Sequence, residues 1–280
     1  RGTVCLVDRE GWLPTDQAGF DELRDEVESS QWYHTFELAP GIETAGWFDL
    51  RELLPTMPFP HSLAGKRCLD VGTFDGFWAF EMERRGGEVV AIDILDPAQW
   101  DWPAGSEDAT HLAIGERKRS GAGFELISKI YGTNVERREL SIYDLDPVDI
   151  GTFDLVYVGS LLLHLRDPVM ALSRVKDVCS GALILCDAIS PLYSLISEPI
   201  ASLDGNGRPW WWRPNVRGLE RMVEAAGFTR TAKTRPVWMK AGRGRPAPQI
   251  SRAALRTRTG RRELFAARFG DPHAVIQARV

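Results

Sequence analysis

The residues best placed to do chemistry lie where short apolar runs end. Asp70 closes Arg67–Val71, Asp93 closes Glu88–Asp93, His164 follows Phe153–Val158 after a Gly159-Ser160 exit, and Asp187 closes Gly181–Asp187. Carboxylates and a histidine at strand tips can hold hydroxyls and amines or move protons near neutral pH. Between the first two acids runs Gly72-Thr73-Phe74-Asp75-Gly76. A turn with glycines there lets backbone amides and a helix N-terminus come close to a ligand. An acid at the tip of the following strand stands within reach of a ribose hydroxyl pair. The plainer reading of the same stretch is a strand, turn and helix with no ligand.

These residues need a scaffold, and the pattern around them supplies one. Phe77 to Arg85 is amphipathic, and Gly86-Gly87 stops it. A helix is expected over Lys118 to Tyr131 with Gly132 ending it, a strand over Val135 to Leu140, and helices over Val169 to Val178 and Val216 to Ala226. Strand alternating with helix predicts a doubly wound, mostly parallel α/β sheet whose ligand sits at the strand carboxyl ends. Upstream, Thr15-Asp16 can cap a helix through about Ser30. Phe228 to Thr234 and Pro236 to Lys240 read as two closing antiparallel strands at the sheet edge, and Ser251 to Phe269 as a basic helix or helix pair. We therefore expect an N-terminal helix and aromatic segment over 1–60 and a core over 61–240 with a substrate cap around 189–215. A basic extension over 241–280 completes the division.

The glycine spacing narrows the nucleotide. A dinucleotide-binding turn needs Gly at 72, 74 and 77, and this chain has Phe at the last two. The looser acid-x-Gly-x-Gly-x-Gly pattern, met at Asp70, Gly72 and Gly76 and departed from at Phe74, resembles motif I of class I S-adenosylmethionine (SAM) methyltransferases. That resemblance implies a seven-stranded Rossmann-like sheet and SAM as cofactor. It also implies cofactor contacts at Asp70, Gly72, Thr73, Phe74, Gly76, Asp93, Ile94, Asp144, Leu145, Gly159 and Ser160. Within the superfamily, Trp32, His34 and Leu38, then Thr44, Gly46 and Asp49, resemble the lead-in of bacterial relatives of the tRNA wobble-uridine carboxymethyltransferases. F-D-L-V-Y-V-G-S-L-L-L-H-L-R-D-P (residues 153–168) does so too. By that likeness the aromatic segment folds over the cofactor as a lid; the alternative is an aromatic cluster packing the first helix onto the sheet.

His164 and Asp187 are the catalytic candidates, with Tyr33, His34, Trp210 and Trp211 as acceptor-binding candidates. A histidine that locks its loop by a backbone hydrogen bond is the alternative for His164, and a helix cap or Asx turn the alternative for Asp144. Three adjacent tryptophans, 210 to 212, cannot all face inward, so one is expected at a cavity or a partner.

Composition limits the function classes. The chain has 280 residues, 44% hydrophobic, with net charge −5, enough for one α/β domain with appendages. No apolar run approaches a membrane span and no leader is read at the start, so we expect a cytoplasmic protein with no membrane partner. Its four scattered cysteines are read as reduced, and no metal-ligand spacing stands out. Residues 229–280 hold 13 Lys and Arg against two acids, leaving a balance of −16 on the rest. This favours docking of the basic segment on the body, or on a second subunit, over nucleic-acid contact. We expect metal-independent methyl transfer to the oxygen, nitrogen or carbon of a small molecule, as a tailoring step in natural-product biosynthesis. Wobble-uridine modification and a non-catalytic SAM-binding module are the alternatives.

Overall fold

A computed structural model describes residues 12–105, 121–204, 209–248 and 250–280. The strands are β1 (Trp32–His34), β2 (Glu37–Ala39), β3 (Ile42–Glu43), β4 (Gly46–Asp49), β5 (Arg67–Val71), β6 (Glu88–Asp93) and β7 (Glu136–Glu139). After them come β8 (Phe153–Gly159), β9 (Cys179–Ala188), β10 (Ala201–Leu203), β11 (Trp212–Pro214), β12 (Thr229–Arg230), β13 (Arg235–Ala241) and β14 (Asp271–Arg279). The main sheet runs β1-β4-β13-β14-β9-β8-β5-β6-β7, with β12 paired to β14. From β9 to β7 all pairings are parallel, while β14 runs antiparallel to both β9 and β13.

The parallel strands are buried on both faces, which is why they read as continuous apolar runs. Alternate residues feed two cores. Cys68, Val89, Ala91, Leu155, Tyr157 and Ile184 pack under the helices Phe77–Arg84 and Ala122–Tyr131. Leu69, Val71, Val90, Ile92, Val156, Val158 and Leu183 pack under the helices Pro168–Val178 and Val216–Ala225. Asp16 caps the first helix, Gln17–Ser29, by accepting from Gly19 N at 2.9 Å. The helix expected from Lys118 starts at Ala122; residues 118–120 lie outside those described.

Two parts of the chain depart from expectation. The first is the end of the sheet. The segment taken as a basic extension supplies β14, a strand inside the sheet with β9 on one side and β13 on the other. It has Ala274, Ile276 and Ala278 in one core and Val275 in the other. The core therefore does not close at residue 240. The two expected closing strands do run antiparallel, both against β14, but only Thr229–Arg230 of the first is a strand, and β13 meets β4 on its far side at Lys240 and Ala241. The second is the aromatic N-terminal segment, expected as a lid or a packing cluster, which adds strands β1 and β4 to the main sheet itself.

Candidate active site

The strand tips open into a cavity of about 760 Å³, within the range of roughly 300–1,000 Å³ usual for ligand sites. Its floor is the turn after β5. Gly72 has φ +77 and Gly76 φ +93, and a Cβ on Gly76 would stand 2.3 Å from the Phe80 ring. Phe74 also lies in the left-handed region, φ +52, a conformation that costs a residue other than glycine roughly 1–2 kcal/mol. Two contacts hold it there: its amide donates to Asp93 Oδ2 at 2.8 Å, and its ring stacks on Tyr33 with centroids 4.6 Å apart. This is how the turn closes without the motif's middle glycine.

Asp75, inside the same turn, ties down the lid. Its Oδ2 accepts from Tyr33 N at 3.0 Å and His34 N at 2.9 Å, and its Oδ1 meets His34 Nδ1. The residues of the N-terminal signature explain each other. Thr44 Oγ1 accepts from Phe36 N at 2.7 Å and donates to His34 O at 2.8 Å, while a Cβ on Gly46 would fall 2.3 Å from the His34 backbone. Trp32 and Phe36 are buried in the core, whereas Tyr33, His34, Trp47 and Phe48 line the cavity. The segment thus packs into the core and walls the cavity at once.

On the β5–β7 side, Asp70, Val71, Gly72, Thr73, Phe74, Asp93 and Ile94 line the cavity, with Trp100 and Trp102 above them. Asp70 Oδ2 and Thr73 Oγ1 are buried there without a hydrogen-bond partner. Burial pushes the Asp70 carboxyl up to about 7. Gly76 supports the turn from behind and is not part of the lining. Asp144 and Leu145 are corrections: Asp144 is exposed and Leu145 points into the second core, so neither reaches the cavity. The short 3-10 turn Ile142–Asp144 presents Ile142 and Tyr143 instead.

On the β8–β14 side the lining is Gly159, Ser160, His164, Trp210, Arg245, Arg262, Asp271 and His273. His164 Nδ1 donates to Pro209 O, so this histidine does lock the chain leading to the tryptophans while facing the cavity. Asp187 is a second correction. It is buried behind the lining, its Oδ2 accepting from Leu161 N and Leu162 N at 2.8 and 2.7 Å and its Oδ1 from Ala188 N at 2.8 Å. It clamps the loop after β8 and is not part of the cavity lining. Trp211 is the third. Its indole N–H donates to Asp101 O and Arg166 lies over its ring at 5.0 Å, outside the lining; Trp210 faces inward against Arg262. Sequence reasoning missed Arg245, Asp271 and His273, all in the segment set aside as an extension. Among the described residues no group of three or more His, Cys, Asp or Glu side chains forms a metal site, and no helix is long and apolar enough to cross a membrane.

A sheet with antiparallel β14 inserted beside β9, a glycine turn after β5 and an acid at the tip of β6 define the class I, Rossmann-like methyltransferase fold. The chain belongs to the methyltransferase-domain family, whose model matches residues 45–233. A ubiquinone biosynthesis O-methyltransferase of Acinetobacter baumannii (strain ACICU) is 32% identical over 106 residues, 38% of this chain and 36% of that protein. Another, from Hahella chejuensis (strain KCTC 2396), is 29% identical over 117 residues, 42% of this chain and 40% of its own. The chain thus matches well under half the length of these curated relatives. The N-terminal domain of EvdMO1, solved with SAH bound, shares the fold with a TM-score of 0.52 at 17% identity, over 95% of this chain and 98% of that one.

Proposed function

We propose that this protein transfers the methyl group of SAM to a small-molecule acceptor. The observation that carries this reading is one cavity of about 760 Å³ at the strand tips, with Asp93 and the β5 turn on one side and residues of β8, β14 and the N-terminal aromatic segment on the other. The curated relatives and the SAH-bound neighbour support the same assignment. Asp93 would hold the ribose hydroxyls, Ile94 and Ile142 the base, and the unpartnered Asp70 Oδ2 a cationic amine. SAM supplies an electrophilic methyl on a sulfonium. The chain aligns the acceptor and excludes water, together worth several kcal/mol of barrier. Tyr33, His34, His164 and Trp210 are the side chains we assign to the acceptor wall.

Natural-product tailoring remains the finer form of this proposal, and wobble-uridine modification the second reading, which rests on the N-terminal signature. Against phosphate binding, Arg230, Arg243 and Arg245 are engaged within the chain by Glu220 and Glu224, Glu43, and Asp271.

Thermal shift with SAM, S-adenosylhomocysteine, NAD and ATP tests the cofactor. Ligand at about 100 times its dissociation constant stabilises by about 2.7 kcal/mol, so a shift with the first two alone is expected and a shift with NAD alone refutes the reading. Asp93→Ala should weaken SAM binding by at least roughly tenfold in calorimetry, since hydrogen bonds to a charged group are worth about 1.5–3 kcal/mol.

A further inference from the structure

The acceptor half contains a side-chain pair joining two strands that are not neighbours. Ser160 follows β8 in the left-handed region, φ +50, and its hydroxyl meets His273 Nε2. His273 is 3% exposed, at the start of β14, and its Nδ1 lies 3.1 Å from the backbone carbonyl of Asp271. A carbonyl only accepts, so Nδ1 carries the ring proton and Nε2 of the neutral ring is an acceptor; the Ser160 hydroxyl also faces Met239 Sδ at 3.7 Å, a weak thioether acceptor, so its one proton goes to Nε2. Burial holds the ring below the usual histidine range, keeping it neutral at pH 7. Among charged side chains it feels Asp271, which opposes that effect, and Arg262, which adds to it.

The pair stands beside the cofactor turn. Val158 is in register with Val71, so Ser160 and Gly72 emerge from adjacent strand tips. The Leu161 side chain lies 3.2 Å from the place a Cβ on Gly72 would take. The tips therefore read, in order across the sheet, His273, Ser160, Gly72, Asp93. Asp93 and the pair flank the turn, and Tyr33, Trp47, Phe48 and Trp210 wall the space in front of it.

We propose that Ser160 and His273 form the proton-accepting pair of the reaction, and that the acceptor is a phenol or a similarly flat enol. This rests on the methyl-transfer reading above. The acceptor hydroxyl donates to Ser160 Oγ while its own lone pair forms the new O–CH3 bond. The CH3–S bond breaks with its electron pair staying on sulfur. The acceptor's proton passes to Oγ and the serine's to Nε2, leaving an imidazolium still held by the Asp271 carbonyl. A hydroxyl oxygen becomes strongly acidic as that bond forms and needs a base at hand. An amine attacks with a free pair and sheds its proton to water later. The aromatic walls suit a flat ring. Ser160 is the catalytic residue and His273 its positioning and proton-holding partner.

The test incubates the full chain with methyl-tritiated SAM and a panel including catechol, 4-hydroxybenzoate, aniline and benzylamine, with S-adenosylhomocysteine affinity measured in parallel. Labelled methoxy products are expected from the phenols only. Ser160→Ala and His273→Gln should each lower kcat by about 10²–10⁴-fold, the usual contribution of general base catalysis. The acid limb of the pH–kcat profile should vanish in His273→Gln, whose S-adenosylhomocysteine affinity stays within about twofold of the parent. Histidine nitrogen NMR of the protein alone should show a ring protonated on Nδ1 that titrates below 6.5, and whose signal moves in Ser160→Ala. If His273→Gln does not fold, Ser160→Ala and the NMR titration carry the test. Transfer only to amines, no transfer to any phenol, or an acid limb that disappears in His164→Ala instead would overturn the pair. Loss of S-adenosylhomocysteine binding by the unaltered protein would instead overturn the methyl-transfer reading.

Discussion

Four acidic or imidazole side chains at strand tips look alike as residue types, yet they do different things here. Asp93 turns toward the cavity and shares itself with Phe74 N and Ile94 N, whereas Asp187 turns back to hold Leu161 N and Leu162 N. The difference is made by the chain leaving β8, which crosses over the tip of β9, and no local spacing encodes that crossing. Asp144 is decided by another non-local detail: the 3-10 turn Ile142–Asp144 presents Ile142 and Tyr143 to the cavity and leaves Asp144 exposed. Asp70 carries a prediction at this scale. Its folded carboxyl titrates at about 7 against an ordinary 3.8. Between those values the unfolded chain has ionised while the folded one keeps its proton, so the residue's contribution to stability falls as pH rises through that window. Each pH unit of the window is worth about 1.4 kcal/mol. The stability gained by Asp70→Asn should therefore grow from pH 4 to pH 7 and level off above, as read by urea unfolding without ligand.

At the scale of elements, helices and parallel strands were legible because their periodicity is local, and their ends fall close to Gly86, Gly132 and Asp16. β14 was not. Its neighbours in sequence are basic and its partners, β9 and β13, are chosen only once the sheet exists. The aromatic segment was legible as a signature, but what holds it was not, because its anchor is Asp75 in a different motif. Removing one partner of a buried charged cluster costs about 3–5 kcal/mol, so Asp75→Ala should lower urea-unfolding stability by that order. It should also weaken SAM binding, because Tyr33 and His34 lose the acceptor that seats them. Unchanged affinity in a folded Asp75→Ala protein would mean that the lid holds its place by aromatic packing alone.

For the molecule as a whole, charge is divided, and Arg230, Arg243 and Arg245 of the basic segment are paired within the chain. Arg243 reaches Glu43 and Arg245 lies over the Trp47 and Phe48 rings, so these two residues bring the basic segment onto the body, while Arg245 also pairs with Asp271 of its own segment. A mobility-shift titration with tRNA at physiological salt should show nothing tighter than the roughly 10⁻⁴–10⁻⁶ M typical of non-specific binding. Salt-sensitive nanomolar binding would restore the wobble-uridine reading.

The place of β14 also sets an order of events during synthesis. Residues 182–186 of β9, Ala-Leu-Ile-Leu-Cys, leave the ribosome about 90 residues before the strand that pairs with their outer edge. At about 5–20 residues per second this leaves an apolar, unpaired strand edge waiting for several seconds. Such an edge is a template for wrong partners. The tips of β5, β6 and β8 can come together in that interval and the part of the cavity built on β14 cannot, so slow translation between residues 190 and 270 should raise aggregation of the nascent chain more than slowing elsewhere.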